Sequence, residues 1–344
     1  MSSLRPKISC LKTALYRKPK DELLRMHRWG PQAYFRIEAW KREMEKASKE
    51  LPVPYLLSSI SGRSSPISVW FLTGKKFWYQ TAFCAWTLAY HTDRPLVLNL
   101  VDDGTLGPEH EEGLRRIFPE GVTLRREMVR ERIETLLPAA RFPILRQRWL
   151  DYINIRKLTD VHLGSTGVKL VLDSDMLFFR RPDAMLDWWD GCQRSEIEGQ
   201  RSSVDAPFSD HLGIPTSSCS PLLMTDCVES YGYSRRLMES LAGAPIPPLM
   251  NVGICGLRSE SLDWEQLEHW CQELVKREGT SYYLEQALVA MIAAKATPTV
   301  MPREDYITFP TREEAFQGTG VLQHYVADSK PWYFGEAWKL ALNH

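Results

Sequence analysis

The sequence predicts an α/β fold, a mostly parallel central sheet flanked by helices. Three observations carry that expectation. Short apolar runs at residues 67–72 (ISVWFL), 95–101 (PLVLNLV) and 170–172 (LVL) read as strands buried on both faces. They alternate with stretches of helical period at residues 77–90 and 109–118, which is the rhythm of parallel strands joined by crossover helices. The composition is that of a globular chain able to bury a sizeable core, with 44% apolar and 25% charged residues in a length of 344.

Composition also excludes classes of function. The formal net charge is zero, so no global field favours nucleic acid. No stretch has the length and apolarity of a transmembrane span. The first 21 residues are basic but lack the apolar core of a signal peptide. The seven cysteines, Cys10, Cys84, Cys192, Cys219, Cys227, Cys255 and Cys271, are odd in number, scattered, and include no C-x-x-C. That pattern predicts reduced thiols in a cytoplasmic protein and argues against a zinc site.

Residues 1–54 read as a helical arm rich in Lys, Arg and Glu, with helices at 21–29 and 32–51. Pro52 and Pro54 mark its end, residues 61–65 form a Gly/Ser/Arg turn, and residues 55–344 make the main domain. The strand at 67–72 runs into Thr73-Gly74-Lys75-Lys76 and then a helix. Strand, glycine turn and helix start is an arrangement in which backbone N–H groups can meet phosphate. The second strand ends in Asp102-Asp103-Gly104, and residues 122–124 are a third strand. Residues 125–156 are arginine-rich; most of these arginines read as a solvated helical face, and one or two suit phosphate. Residues 153–160 continue a helix. Asp187 to Gly191 closes a short helix or turn, and residues 193–218 read as a long polar loop. Beyond it come a strand at 221–225, a helix at 228–242, a short strand at 250–256 and helices at 262–277 and 283–294, then the segment 321–326, which carries His324.

The stretch from Lys169 to Pro182, KLVLDSDMLFFRRP, carries the chemistry. Asp173 and Asp175 stand where an apolar strand runs out, and a second apolar group follows. Two carboxylates in so apolar a segment are costly to bury without compensation, and a divalent cation supplies it. Residues i and i+2 of an extended chain point the same way, so both can reach one ion. The plainer reading makes one a turn cap and leaves the other in water.

Four segments together resemble the metal-dependent glycosyltransferases of the GT-A fold, in particular the retaining family that includes glycogenin and bacterial lipopolysaccharide galactosyltransferases. Lys169 to Asp175 is similar to that family's K-x-x-Y-L-D-x-D, with Val171 for Tyr. Asn251-Val252-Gly253 is similar to its N-x-G turn, and Glu285-Gln286-Ala287 to its D-Q-D. His324 to Trp332 is similar to its H-F-x-G-x-x-K-P-W, with Ala327 for Gly. Arg156 lies where the family carries an Arg-Leu pair, although Lys157 intervenes. The segments keep the family's order over roughly residues 67–334; the first 60 residues are not covered.

The resemblance implies a Rossmann-like, GT-A-type sheet and transfer of a hexose from a nucleotide-diphosphate sugar, with UDP as the nucleotide and retention of configuration. The acceptor is open between glycan, protein and lipid. Asp173, Asp175 and His324 would hold Mn²⁺, with Mg²⁺ as the other candidate. Thr73, Gly74, Asp102, Arg156, Asp173 and Lys330 would contact the nucleotide, and Trp332 would be a platform beside them. Asn251, Gly253, Glu285 and Gln286 would contact the sugar, the last two beneath the anomeric carbon, where positive charge develops. Asn251 also reads as an ordinary turn residue, and Glu285-Gln286 as a polar helix start. Two other functions stand beside this one. A catalytically silent sugar-nucleotide-binding protein would keep the fold. A D-x-D phosphatase would use Asp173 as nucleophile, but Leu177 stands where its Thr or Val belongs.

Overall fold

The computed structural model describes residues 18–54, 66–92, 94–205 and 219–343. The basic terminus up to residue 17, Cys10, the turn at 61–65 and the stretch 206–218 lie outside the described residues. Two helices come first, α1 (Lys18–Trp29) and α2 (Pro31–Ser48). Then follow β1 (Ile67–Thr73), α3 (Trp78–His91), β2 (Leu96–Asp102), α4 (Pro108–Ile117), β3 (Thr123–Leu124), α5 (Arg126–Leu136), α6 (Pro143–Asp151) and α7 (Arg156–His162). The central segment is β4 (Val168–Leu172), β5 (Met176–Phe178) and α8 (Asp183–Asp205). Next are β6 (Leu222–Thr225), α9 (Arg235–Ala242), β7 (Met250–Arg258), α10 (Trp264–Glu278) and α11 (Leu284–Ala294). Strands β8 (Thr299–Met301) and β9 (Tyr306–Thr308), helix α12 (Arg312–Gln317) and strand β10 (Leu322–His324) lead to a helical C-terminus.

Seven strands form the central sheet in the order β3-β2-β1-β4-β7-β6-β8. All pairings are parallel except those of β7, which runs against both β4 and β6. This is the mostly parallel, Rossmann-like α/β architecture expected from the sequence. Strand period sorts the side chains between two cores. Ile67, Val69, Phe71, Leu170, Leu172 and Ile254 enter one core with α3 and α4, while Trp70, Val171, Val252 and Leu257 enter the other with α10 and α11. Strand order turns around between β1 and β4, so the crevice beyond their C-terminal ends is a topological switch point. A second, three-stranded sheet, β5-β10-β9, lies across that end. Helix α2 packs onto the first core through Ile37 and Met44.

Three local expectations are corrected. Helix α8 does not stop at Gly191 but runs on to Asp205. Its early part is anchored by buried Trp188, Trp189 and Cys192 and by the ion pair of Arg94 with Asp190, and these outweigh one glycine. Residues 228–234 are not helical; Gly232 takes a left-handed φ of 70°, Tyr231 and Tyr233 are buried, and the helix starts only after Ser234. The cysteines are not all reduced. Cys192 and Cys219 form a disulfide, while Cys84, Cys227, Cys255 and Cys271 are free thiols.

Candidate metal and nucleotide site

The two aspartates flank the turn between β4 and β5, and pairing on both sides fixes them. Asp173 N–H donates to the Gly253 carbonyl at 2.8 Å, which continues the β4–β7 ladder. Strand β10 lies antiparallel to β5 with His324 opposite Met176, and Tyr325 N–H donates to the Asp175 carbonyl at 2.9 Å. The third residue thus arrives from a segment about 150 positions away in the chain. His324 Nε2 lies 3.2 Å from Asp175 Oδ1 and 3.7 Å from Asp173 Oδ2. One ligand atom from each of the three residues falls within 4.8 Å of the others.

The N-x-G turn builds the seat of the histidine. Asn251 Oδ1 accepts from Gly253 N–H at 2.8 Å, and Asn251 Nδ2 donates to Asp226 Oδ2 at 3.0 Å. Those partners set the orientation of the amide, so His324 Nδ1, 3.2 Å from the same Oδ1, carries the proton and donates it. Nε2 faces the two carboxylates. Two carboxylates and a ring nitrogen around one point could hold a cation, and the buried partner on the far nitrogen is the usual orienting contact of a metal-bound imidazole. Gly253 is required sterically: a Cβ there would stand 2.5 Å from His324 Nδ1 and 2.9 Å from Asn251 Oδ1. Two carboxylates and an imidazole fit Mn²⁺ or Mg²⁺ by donor chemistry.

Two ammonium groups share the carboxylates. Lys330 Nζ hydrogen-bonds Asp175 Oδ2. Burial would raise the Asp175 carboxyl, but Lys330 and His324 beside it hold it well below the usual carboxylate range. Lys157 Nζ donates to Asp173 Oδ1 at 2.9 Å and lies 3.5 Å from Glu285 Oε1. Burial alone would lower the Lys157 ammonium, yet Asp173 and Glu285 raise it above its ordinary value. Burial pushes Glu285 up to about 7 against the pull of Lys157.

The remaining expected site residues fall as follows. Gln286 is buried, and its Nε2 donates to the carbonyls of Ser230 and Met250, each at 3.1 Å, so the orientation of its amide is set. Thr73 is buried and its hydroxyl accepts from Thr81 at 2.8 Å, so its side chain serves the packing of α3. Gly74 lies in the turn below Asp103, and its carbonyl accepts from the N–H groups of Phe77 and Trp78. Asp102 Oδ1 accepts from the N–H groups of Gly104, Thr105 and Leu106 and so shapes its own loop, while its neighbour Asp103 lines the cleft. Arg156 is wholly buried, bonded to Asp160 at 2.6 Å and to the Asp102 carbonyl. Trp332 turns toward Phe316, 6.4 Å away. Ala287, where the resembled family has a carboxylate, is buried in the second core.

Residues Leu72, Phe77, Gln80, Asp103, Lys157 and Tyr282, with both aspartates, line a cleft of about 240 Å³ at the switch point. A larger cavity, about 340 Å³, lies at the other end of the sheet beside Arg258 and Trp270 and holds none of these groups. The sequence reading missed Lys157, Asp226 and Tyr282. The sequence showed Lys157 only as the neighbour of Arg156, and Asp226 and Tyr282 carried no signal.

No protein-family model matches the sequence, and no curated protein matches it. The chain's neighbours among solved structures are glycosyltransferases. Mouse xyloside xylosyltransferase 1 in its apo form shares 11% identity over 77% of this chain and 99% of its own, with a TM-score of 0.46. The galactosyltransferase LgtC, solved with donor and acceptor sugar analogues, shares 12% over 80% of this chain and 96% of its own, at 0.47. The bifunctional glycosyltransferase WbbM shares 10% over 83% of this chain and 52% of its own, at 0.47.

Proposed function

We propose that the chain is a metal-dependent glycosyltransferase that moves a hexose from a nucleotide-diphosphate sugar to an acceptor. The observation that carries this reading is the convergence of Asp173, Asp175 and His324 at the switch point of a mostly parallel sheet. Asp173, Asp175 and His324 would hold Mn²⁺ or Mg²⁺, which when bound offsets the charge on a diphosphate leaving group. Lys330 adds a second positive charge on the Asp175 side. In the transfer, the bond from C1 to the phosphate oxygen breaks with its electron pair on the diphosphate. The acceptor oxygen bonds to C1, and its proton leaves with the diphosphate. The positive charge that develops at C1 is met by Gln286, whose tethered nitrogen leaves Oε1 as its free end. Glu285, with a carboxyl near neutrality, binds a sugar hydroxyl. UDP and retention follow the sequence resemblance.

A thermal-shift series with UDP, GDP and ADP, each with and without Mn²⁺, tests this. At a hundredfold excess over Kd, a bound ligand stabilises by about 2.7 kcal/mol, a shift of several degrees. The shift is expected only when nucleotide and metal are both present, and it should vanish in Asp175→Asn. Stabilisation by no nucleotide, or equal stabilisation in that variant, overturns the proposal.

Two observations favour a second reading, a nucleotide-sugar-binding protein without turnover. Lys157 and Lys330 already pair with the two aspartates, and Ala287 leaves α11 one carboxylate short of the resembled motif. Metal-dependent nucleotide binding without turnover of any sugar donor would support it.

A further inference from the structure

The rim of the cleft carries two exposed aromatic rings on a rigid support. Tyr282 is 70% exposed and Tyr283 42%. The backbone beneath them is nonetheless held at several points. The Tyr152 hydroxyl donates to the Tyr282 carbonyl at 2.5 Å and accepts from Glu285 N–H at 3.4 Å. Ser281 N–H donates to the Tyr233 hydroxyl at 3.2 Å, and Tyr283 N–H donates to Ser281 Oγ at 3.1 Å. Tyr152 and Tyr233 are buried, so their hydroxyls are fixed anchors. The two exposed rings meet edge to face, with centroids 5.4 Å apart and planes at 88°, which makes a corner. Tyr282 lines the cleft together with Asn154, Lys157 and Asp173. Its ring, mostly exposed, stands at the cleft wall with Lys157 and Asp173.

An open aromatic face forfeits the burial that normally makes tyrosine stabilising, and here two buried tyrosines are spent on holding it still. We propose that Tyr282, cornered by Tyr283, is an acceptor platform, and that the acceptor is a glycan presenting a pyranose ring. This rests on the transferase reading above. A pyranose offers one face of C–H groups that stacks on an aromatic ring, while its equatorial hydroxyls point outward to polar partners. Asn154, Lys157 and Asp103 line the same cleft as Tyr282 and supply such partners. A lipid chain needs a continuous apolar trough, and this wall is interrupted by Asn154, Lys157 and Asp173. Tyr282 lines the same cleft as both aspartates of the metal triad. A sugar stacked there is held beside the candidate metal site.

Saturation-transfer NMR tests this with methyl β-glucoside, methyl β-galactoside, methyl α-mannoside and octyl β-glucoside at millimolar concentration. Each is run with and without UDP and Mg²⁺. Saturation is expected on the ring C–H protons of at least one glycoside, reduced at least fivefold in Tyr282→Ala and retained in Tyr282→Trp. The ring is mostly exposed, so neither change removes core packing, and melting curves of both variants verify that. No saturation of any glycoside, a signal that survives in Tyr282→Ala, or saturation confined to the octyl chain overturns the proposal. The runs without UDP do not depend on nucleotide binding, so failure here is distinguishable from failure of the metal–nucleotide test.

Discussion

At the scale of single residues, the site depends on one missing atom. Gly253 leaves the space in which His324 sits, and the N-x-G spacing serves the imidazole as much as the turn. Gly253→Ala should displace His324, weaken Mn²⁺ binding at least tenfold in a titration, and destabilise by about 1–3 kcal/mol. Ala327 makes the opposite case. Its φ of 45° lies in the left-handed region, where the resembled family has glycine. Ala327→Gly should therefore stabilise the fold by about 0.5–1 kcal/mol in urea unfolding, after the added entropy of glycine in the unfolded chain is subtracted. Glu285 gives a pH dependence. Its folded carboxyl titrates near 7 against an ordinary 4.5. Between those values the unfolded chain has released its proton and the folded chain keeps it, so stability falls as pH rises through that window. The loss is on the order of 3 kcal/mol. Metal-free urea midpoints from pH 4 to 8 should show the decline, and Glu285→Gln should flatten it.

At the scale of elements, α7 shows how a short helix divides adjacent residues between tasks. Arg156 and Lys157 are neighbours, and helix geometry turns them about 100° apart. Arg156 goes to Asp160 and the end of β2, while Lys157 goes to Asp173 and Glu285. The basic pair was legible in the sequence, but the member that reaches the site was not, because the phase of the helix is set by what it packs on. Helix α2 raises a similar point. Its charged sequence reads as a peripheral arm, yet Met44 is fully buried in the first core. Met44→Ala should cost about 2–5 kcal/mol, and the arm and the sheet should unfold in one transition followed by both fluorescence and far-UV circular dichroism.

For the whole molecule, the disulfide and the metal triad act at different places. Cys192 and Cys219 close a loop across a sequence separation of 27. Chain-entropy arguments give such a link about 3.5 kcal/mol, through its restriction of the unfolded chain. Cys192→Ser should lower urea stability by about 2–4 kcal/mol relative to the oxidised protein and by much less relative to the reduced one. The metal-dependent thermal shift should survive that substitution, since the triad is built on β4, β7 and β10 and neither cysteine belongs to them.

What the sequence determined by itself is what short-range pattern encodes. The apolar runs of β1, β2 and β4, the helices between them and the parallel sheet follow from periodicity, and Asp173 and Asp175 follow from charge placed against an apolar strand. What only the tertiary structure decided is which distant groups share a point. His324 reaches the aspartates because β10 pairs with β5, Asn251 and Asp226 set its tautomer, and Tyr152 and Tyr233 hold the rim at Tyr282. Those contacts span tens to more than a hundred residues, and no local propensity records them. The disulfide belongs with them: its cysteines carry no motif, and only the packing of α8 against the segment that leads into β6 brings the two sulfurs together.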